Sequence, residues 1–437
     1  MELNEWKNKN KYIRNYSHFD KRISLSAAWN YISNPDKIAS HGFYPFIHYT
    51  KKFIKYNKVD GTKLKEREIC YSAHIDRLIF QYYSYLLNGM YNERVIADGI
   101  DNTAIAYRNN MGKNNIHFAK SAFDYIRSSH ECFIMVGDFT KFFDSLDHKY
   151  LKDRLCDLIG VKKLPPDFYA VYKNIIKYSV WDMKELLKLN NLSDDKNGIN
   201  ELKEKEQVLT PELFKQHKKT YIKQNKNNYG IPQGSAISAV LSNIYMLDID
   251  KKINDFVNIK NGLYMRYSDD FIVVLPEAEK ENFQIDFDYI INQISSVPNL
   301  VLQPDKTQVY RYDNGILTNR NDEYLIDVEK GKDLLNYLGF TFDGKAVTIR
   351  DKTISKYYYK MYRKLKTIVK AEGFTKNGNR ISCNNLYLKY TRKGAHVGKG
   401  NFISYVQRSQ KIFGNSESID RGTSRHLQKI RQQLDKI

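Results

Sequence analysis

The stretch Leu263–Leu275, LYMRYSDDFIVVL, constrains the fold more than any other. Two apolar runs meet at an acidic pair, the pattern of two strands around a tight turn. Asp269 and Asp270 stand between Tyr267 and Phe-Ile-Val-Val, where adjacent carboxylates are costly unless a cation neutralises them. Upstream, CFIMVGDF (132–139) reads as a buried strand that reaches a carboxylate at Asp138. Taken singly, each piece has an ordinary reading, a strand ending in a turn and a polar hairpin tip. Together they place three carboxylates on neighbouring strands. Such a set can hold two metal ions roughly 4 Å apart, which stabilise the attacking and leaving oxygens of a phosphoryl displacement. Mg²⁺ suits it, with Mn²⁺ as a substitute, because Mg²⁺ takes one or two carboxylates plus substrate phosphates.

Charge points to a polyanionic partner. The formal net charge is +20, and residues 351–437 carry 20 Lys/Arg against 5 Asp/Glu, hence +15 of it. Neutralising phosphates releases their counterions, so a basic segment of this kind reads as a nucleic-acid surface. A merely solvated basic face is the plain alternative. The four cysteines, Cys70, Cys132, Cys156 and Cys383, form no CxxC pair, so neither a zinc site nor a disulfide framework is indicated. No apolar run approaches the roughly 20 residues of a membrane span, and the first residues have no signal-peptide pattern. A reducing cytoplasm is the expected setting.

Periodicity predicts a helix over 74–92, a helix over 144–160 with Ser145 as N-cap and Gly160 as stop, and another through AISAVLSNIYMLDID after GIPQG. Residues 182–226 are polar and short of apolar periodicity, which predicts a surface insertion. A strand pair is expected in 337–350, a basic helix over 356–370, and a final helix in SRHLQKIRQQLDKI.

Five segments occur in order: DFTKFFDSLDH (138–148), GIPQGSAISAVLSNIYM (230–246), YSDD (267–270), LQPDKTQV (302–309) and YLGF (337–340). They resemble successive motifs of the reverse-transcriptase palm, over about half the chain. AYRNNMGKNN (106–115) resembles the fingers motif that contacts the nucleotide triphosphate. The resemblance implies an α+β right-hand polymerase fold. Fingers would occupy 1–129, and an antiparallel-sheet palm backed by helices 130–350, with 182–226 inserted. The helical basic thumb would occupy 351–437.

It also implies roles. Asp138, Asp269 and Asp270 would bind the metals. Phe143 would be the steric gate that rejects a ribose 2′-OH, although it also reads as a core ring. Gln233 and Gly234 would lie against the nucleotide and templating pair. Arg108 and Lys113 would hold the triphosphate, or else be exposed loop cations. Lys306 would neutralise or protonate the leaving pyrophosphate, or stay solvated. Tyr337, Leu338, Gly339 and Phe340 would form the primer grip. Lys356, Lys360, Arg363, Lys364, Lys366, Lys393 and Lys399 would contact backbone phosphates without sequence readout.

The implied reaction is RNA-directed DNA synthesis from dNTPs on an RNA template. SHGFYPFIHYTKKF (40–53) and the 182–226 insertion resemble the bacterial defence-associated and abortive-infection reverse transcriptases, which implies an antiphage role and a dedicated noncoding RNA. The NAxxH and VTG elements of retron enzymes are not found, which counts against a retron-type enzyme, the alternative within the family. An RNA-dependent RNA polymerase would more usually carry GDD than YSDD. A non-catalytic RNA-binding scaffold would have no use for intact Asp138, Asp269 and Asp270. A homo-oligomer is compatible with the sequence, which does not set the oligomeric state.

Overall fold

The computed structural model describes residues 2–436 except 58–60, 109, 277–279, 327, 376–377, 382 and 399, with backbone alone at 54–57, 61–63 and 280. Among them are strands β1 (Phe46–Asn57), β2 (Gly61–Tyr71), β3 (Glu131–Asp138), β4 (Ser179–Asp182), β5 (Lys223–Gln224), β6 (Leu263–Tyr267), β7 (Asp270–Leu275), β8 (Gln308–Asp313), β9 (Ile316–Asn319), β10 (Leu335–Tyr337), β11 (Phe340–Phe342) and β12 (Val347–Ile349). The chain packs as two compact units. One comprises Met1–Met111, Phe139–Asp255 and Tyr289–Leu302; the other comprises Gly112–Asp138, Phe256–Asp288 and Gln303–Ile437.

The first unit holds a sheet of order β2-β1-β4-β5. Its helix His74–Ala97 buries Ile79, Tyr83, Leu87, Tyr91 and Val95 at intervals of four, which keeps one face apolar along the whole length. The helix expected over 144–160 starts later, at His148. Asp147, not Ser145, caps it, accepting from the Tyr150 amide at 2.8 Å. Asp147 carries a better-placed acceptor, while Ser145 closes a separate short turn, Phe142–Ser145. Gly160 ends the helix in the left-handed conformation, as expected. The helix after GIPQG is two helices, Ser238–Tyr245 and Leu247–Ile259.

Residues 182–226 depart furthest from expectation. They form helices Met183–Leu189, Lys196–Glu204 and Pro211–Tyr221. Met183, Leu186, Leu187, Leu202, Val208 and Leu209 are buried in a core shared with Phe19, Ile47 and Trp181. Each helix is too short to show a long period. The first buries Met183, Leu186 and Leu187, the second Leu202, and Val208 and Leu209 come from the link before the third; these few suffice because Trp181 and Phe19 fill the space between them.

The second unit is built on an antiparallel sheet of order β6-β7-β3-β8-β9. Its middle strand β3 is buried from Cys132 to Asp138, so its apolar run is continuous rather than alternating. Phe133 stacks on Phe283 of the helix Lys280–Ser295, ring centroids 4.2 Å apart. The pair expected in 337–350 is a three-stranded sheet, β10-β11-β12. The basic helix begins five residues early, at Asp351, and runs to Lys370. Tyr357, Met361, Leu365 and Ile368 form its buried face, against Leu386, Tyr390, Ile403 and Ile430. No helix among the described residues is long and apolar enough to cross a membrane.

Candidate active site

The register of the second unit's sheet sets the site. β3 and β7 run antiparallel with Asp138 directly opposite Asp270. Side chains directly opposite each other point to the same face of a sheet, so these two carboxylates are held together. Tyr267 pairs with Asp270 across the β6–β7 hairpin, leaving Ser268 and Asp269 as the two-residue turn. Ser268 takes φ of +64°. The fully buried Arg266 donates from Nη1 to the Ser268 carbonyl at 2.9 Å and braces that conformation. A buried arginine beneath the acidic turn carries no signal in the sequence, although it lies two residues from the motif.

The electrostatics are unsettled. Burial first, then Asp269 and Asp138, push the Asp270 carboxyl up to about 7. Burial and then Asp138 raise Asp269. The ammonium of Lys306 lies 2.5 Å from Asp138 Oδ2. It is carried by the single turn Pro304–Lys306, which is tied to β3 by the Gln303 amide donating to the Asp138 carbonyl at 2.8 Å. Among the described residues no three His, Cys, Asp or Glu side chains form a ready-made metal cage. The donor set nonetheless fits a hard divalent cation, which takes few protein carboxylates and completes its shell with substrate oxygens. Raised carboxyl pKa values are what such a cation would reverse.

Asp138, Asp270 and Lys306 open onto a cleft of about 700 Å³, also lined by Tyr337, Leu338, Gly339, Lys332 and Arg350. Leu338 and Gly339 form the β10–β11 turn with φ of +46° and +95°. Asn115 steadies that turn, donating to the Leu338 carbonyl at 3.0 Å and to the Tyr405 hydroxyl at 3.1 Å. Tyr337 and Phe340 are buried, so the turn presents its backbone and Leu338. Asn115, Lys332 and Arg350 have no sequence signal beyond their polarity.

The first unit gathers Phe143, Gln233 and Gly234. Phe142 is the core ring, 5.6 Å from Phe139, and Phe143 is only half buried. The Ile231 amide donates to the Phe143 carbonyl at 2.9 Å, and Gln233 Nε2 reaches the Asp144 carboxylate at 3.1 and 3.2 Å. Gly234 has φ of +108°, and a Cβ there would stand 2.5 Å from the Cys70 carbonyl. The close approach it permits is therefore to β2. A second cleft, of about 820 Å³, opens here and includes His48, Glu68, Asp144 and Asp182.

Arg108 is placed otherwise than expected. Its guanidinium is fully buried, paired with Asp101 and donating to Asn92 Oδ1 at 2.9 Å. A nearby acid has captured the fork that was expected to meet phosphate. Lys113 is exposed in the second unit, and Lys356, Lys360, Arg363, Lys364, Lys366 and Lys393 are all exposed in its basic segment. Lys399 lies outside the described residues.

The profile of the family described as reverse transcriptase (RNA-dependent DNA polymerase) matches residues 92–342. The chain belongs to the reverse transcriptase family. That membership carries the α+β right-hand polymerase fold and an RNA-directed DNA polymerase family whose domains use divalent metal ions. Among curated proteins, no match to the chain is found. Solved structures similar to this reverse transcriptase include apo telomerase from Candida Tropicalis, at 14% identity over 98% of this chain and 74% of that chain, TM-score 0.40. The same telomerase truncated from its C-terminal domain is 13% identical over 79% and 64%, TM-score 0.40. Telomerase from Candida albicans with the TWJ fragment of telomeric RNA is 13% identical over 94% and 65%, TM-score 0.38. This chain thus spans less than two thirds of the length of two of these structures.

Proposed function

We propose that this reverse transcriptase makes DNA from dNTPs on an RNA template, using Asp138, Asp269 and Asp270 to hold two divalent ions, with Mg²⁺ the natural choice. The reading rests above all on the register that sets Asp138 opposite Asp270 with Asp269 at the adjoining turn. Bound metal would supply Lewis-acid stabilisation of the attacking 3′ oxygen and of the leaving phosphate. Lys306 already sits on Asp138, so its ammonium is within reach to shift onto the charge that builds on pyrophosphate. The half-buried Phe143 ring would exclude the ribose 2′-OH. The Gln233–Asp144 hydrogen bonds hold Gln233 ready beside the nucleotide. Lys113 would meet triphosphate as a mobile point charge.

In domain terms, fingers fall in 1–129, palm in 130–350 and thumb in 351–437. The exposed Lys356, Lys360, Arg363, Lys364 and Lys366 would track a duplex backbone, recognised by shape. The biological setting we infer is bacterial antiphage defence in the cytoplasm with a dedicated noncoding RNA as template. The test is dNTP incorporation by purified protein with Mg²⁺ on an annealed RNA template and DNA primer, beside Asp269→Ala/Asp270→Ala. Extension by wild type alone supports the reading. Preference for rNTPs would replace it with RNA synthesis. Silence even with co-purified RNA added would favour a binding scaffold.

A further inference from the structure

The turn that presents Asp269 holds a conformation its own residues do not favour. Of its two residues, Ser268 and Asp269, only the first takes a positive φ, +64°. A two-residue hairpin turn of that kind ordinarily has glycine at its first position, because in the left-handed region a Cβ crowds the following carbonyl oxygen. Something outside the turn has to hold it.

The strand register shows where the hold comes from. Tyr267, Asp270 and Asp138 lie across from one another in one row of the sheet, and Arg266, Phe271 and Gly137 form the next row. Neighbouring rows point to opposite faces, so Arg266 lies on the side of the sheet away from the Asp138 and Asp270 carboxylates. Phe271 leans across that side: a Cβ at Gly137 would stand 2.5 Å from its ring. Arg266 and Phe271 are both fully buried. A guanidinium costs more to bury there than a hydrocarbon chain of similar volume. What a hydrocarbon chain could not supply is the 2.9 Å hydrogen bond from Nη1 to the Ser268 carbonyl. That carbonyl belongs to the peptide that also carries the Asp269 amide. Rotation of this peptide would change ψ of Ser268 and φ of Asp269 together, and would re-aim the Asp269 carboxylate.

We propose that Arg266 is a positioning residue of the metal site: its grip on the Ser268–Asp269 peptide keeps Ser268 left-handed and aims the Asp269 carboxylate at the ions held with Asp138 and Asp270. The inference rests on the metal-binding reading above. It adds a residue that touches neither metal nor substrate and acts through the backbone of the turn. Partners behind the ligands of a metal set its affinity by fixing where those ligands point.

The test uses full-length Arg266→Met, alone and combined with Ser268→Gly or Ser268→Ala. Mn²⁺ binding to the protein alone is followed by electron paramagnetic resonance, beside thermal melts and Mg²⁺ titrations of dNTP incorporation. Arg266→Met should weaken Mn²⁺ binding about 10- to 100-fold, the range for loss of a partner behind a metal ligand, and raise the Mg²⁺ requirement to match. Ser268→Gly, which frees the left-handed residue of its Cβ, should recover most of that loss. Ser268→Ala, which keeps the Cβ, should not. A support of general stability would show another pattern: a lowered melting temperature, unaltered metal affinity in the folded protein, and no difference between Gly and Ala. That pattern overturns the proposal, as does a failure to fold that Ser268→Gly does not cure. Asp269→Ala separates the two readings. Wild type that binds no more Mn²⁺ than Asp269→Ala breaks the metal reading itself. Mn²⁺ binding that requires Asp269 but not Arg266 breaks the positioning role alone.

Discussion

The two clefts are both lined with charged side chains, and they differ in how those charges are settled. In the first unit, His48 Nδ1 faces Asp182 at 3.1 Å while Nε2 contacts Glu68, Thr50 Oγ1 donates to Glu68, and Gln233 donates to Asp144. Each of these carboxylates has a protein partner, and Asp144 is raised, by burial first and against the lowering bond from Gln233. In the second unit, three carboxylates crowd together, one ammonium sits on Asp138, and burial and mutual repulsion raise Asp269 and Asp270. A folded chain keeps like charges together at a cost in stability. Paired charge of this kind holds side chains in position, and unpaired charge marks a place prepared for a bound cation.

This contrast can be broken most sharply at Asp269. Its replacement by Ala should lower incorporation by about 10³-fold or more, the upper range for removal of one electrostatic stabiliser. The same change relieves repulsion, so thermal melts should show no loss of stability. A variant that stays active, or one that unfolds, would contradict the assignment of unsettled charge to function. Chelation of divalent ions should reproduce the loss of incorporation with the protein still folded.

Phe143→Ala tests the first unit's link to chemistry. Ribonucleotide use should rise about 10- to 100-fold relative to dNTP use, as steric discrimination of this size allows. Competition between labelled ATP and dATP reads it. An unchanged ratio with dNTP activity intact would leave Phe143 a structural ring.

A third test uses pH in the settled unit. His18 is fully buried, accepts from the Phe19 amide at 2.9 Å through Nδ1 and lies 3.2 Å from the Tyr71 carbonyl through Nε2. Burial pushes its pKa down to about 3. Its folded value is below its unfolded one, near 6.5, so in between the unfolded chain binds the extra proton. Stability from this group is present above pH 6.5 and is lost as pH falls towards 3, by about 1.4 kcal/mol per unit. Urea melts at pH 7, 5.5 and 4.5 measure the slope. His18→Asn should flatten it, and an equally steep slope in that variant would show that other groups govern acid unfolding.

The smallest effect belongs to His48. Because its partners Asp182 and Glu68 are largely exposed, His48→Ala should cost only about 0.2–1 kcal/mol and leave the rate of incorporation unchanged. A large drop in rate at constant stability would give His48 a part in catalysis.

Local chemistry made much of this legible. The apolar runs ending at Asp138 and flanking Asp269–Asp270 are strands in the fold, and Gly160 stops its helix, because each signal lies within one element. What failed needed knowledge of neighbours. Arg108 reads as a free phosphate fork until Asp101 is placed beside it. Residues 182–226 read as a polar insertion because their core partners, Phe19 and Trp181, come from other segments. Arg266 and Asn115 carry no motif, since a brace is recognised only with the backbone it holds.

By itself, the sequence determined that three carboxylates would lie at strand ends and that the chain's last fifth would be a basic surface. Both follow from short-range patterning and charge. Tertiary structure decided that Asp138 faces Asp270, that Lys306 rests on Asp138, and that Asp101 captures Arg108. Those outcomes depend on strand register and on pairings between residues far apart along the chain. Strand register follows from packing the whole sheet, since a slip of one residue would turn every side chain to the opposite face.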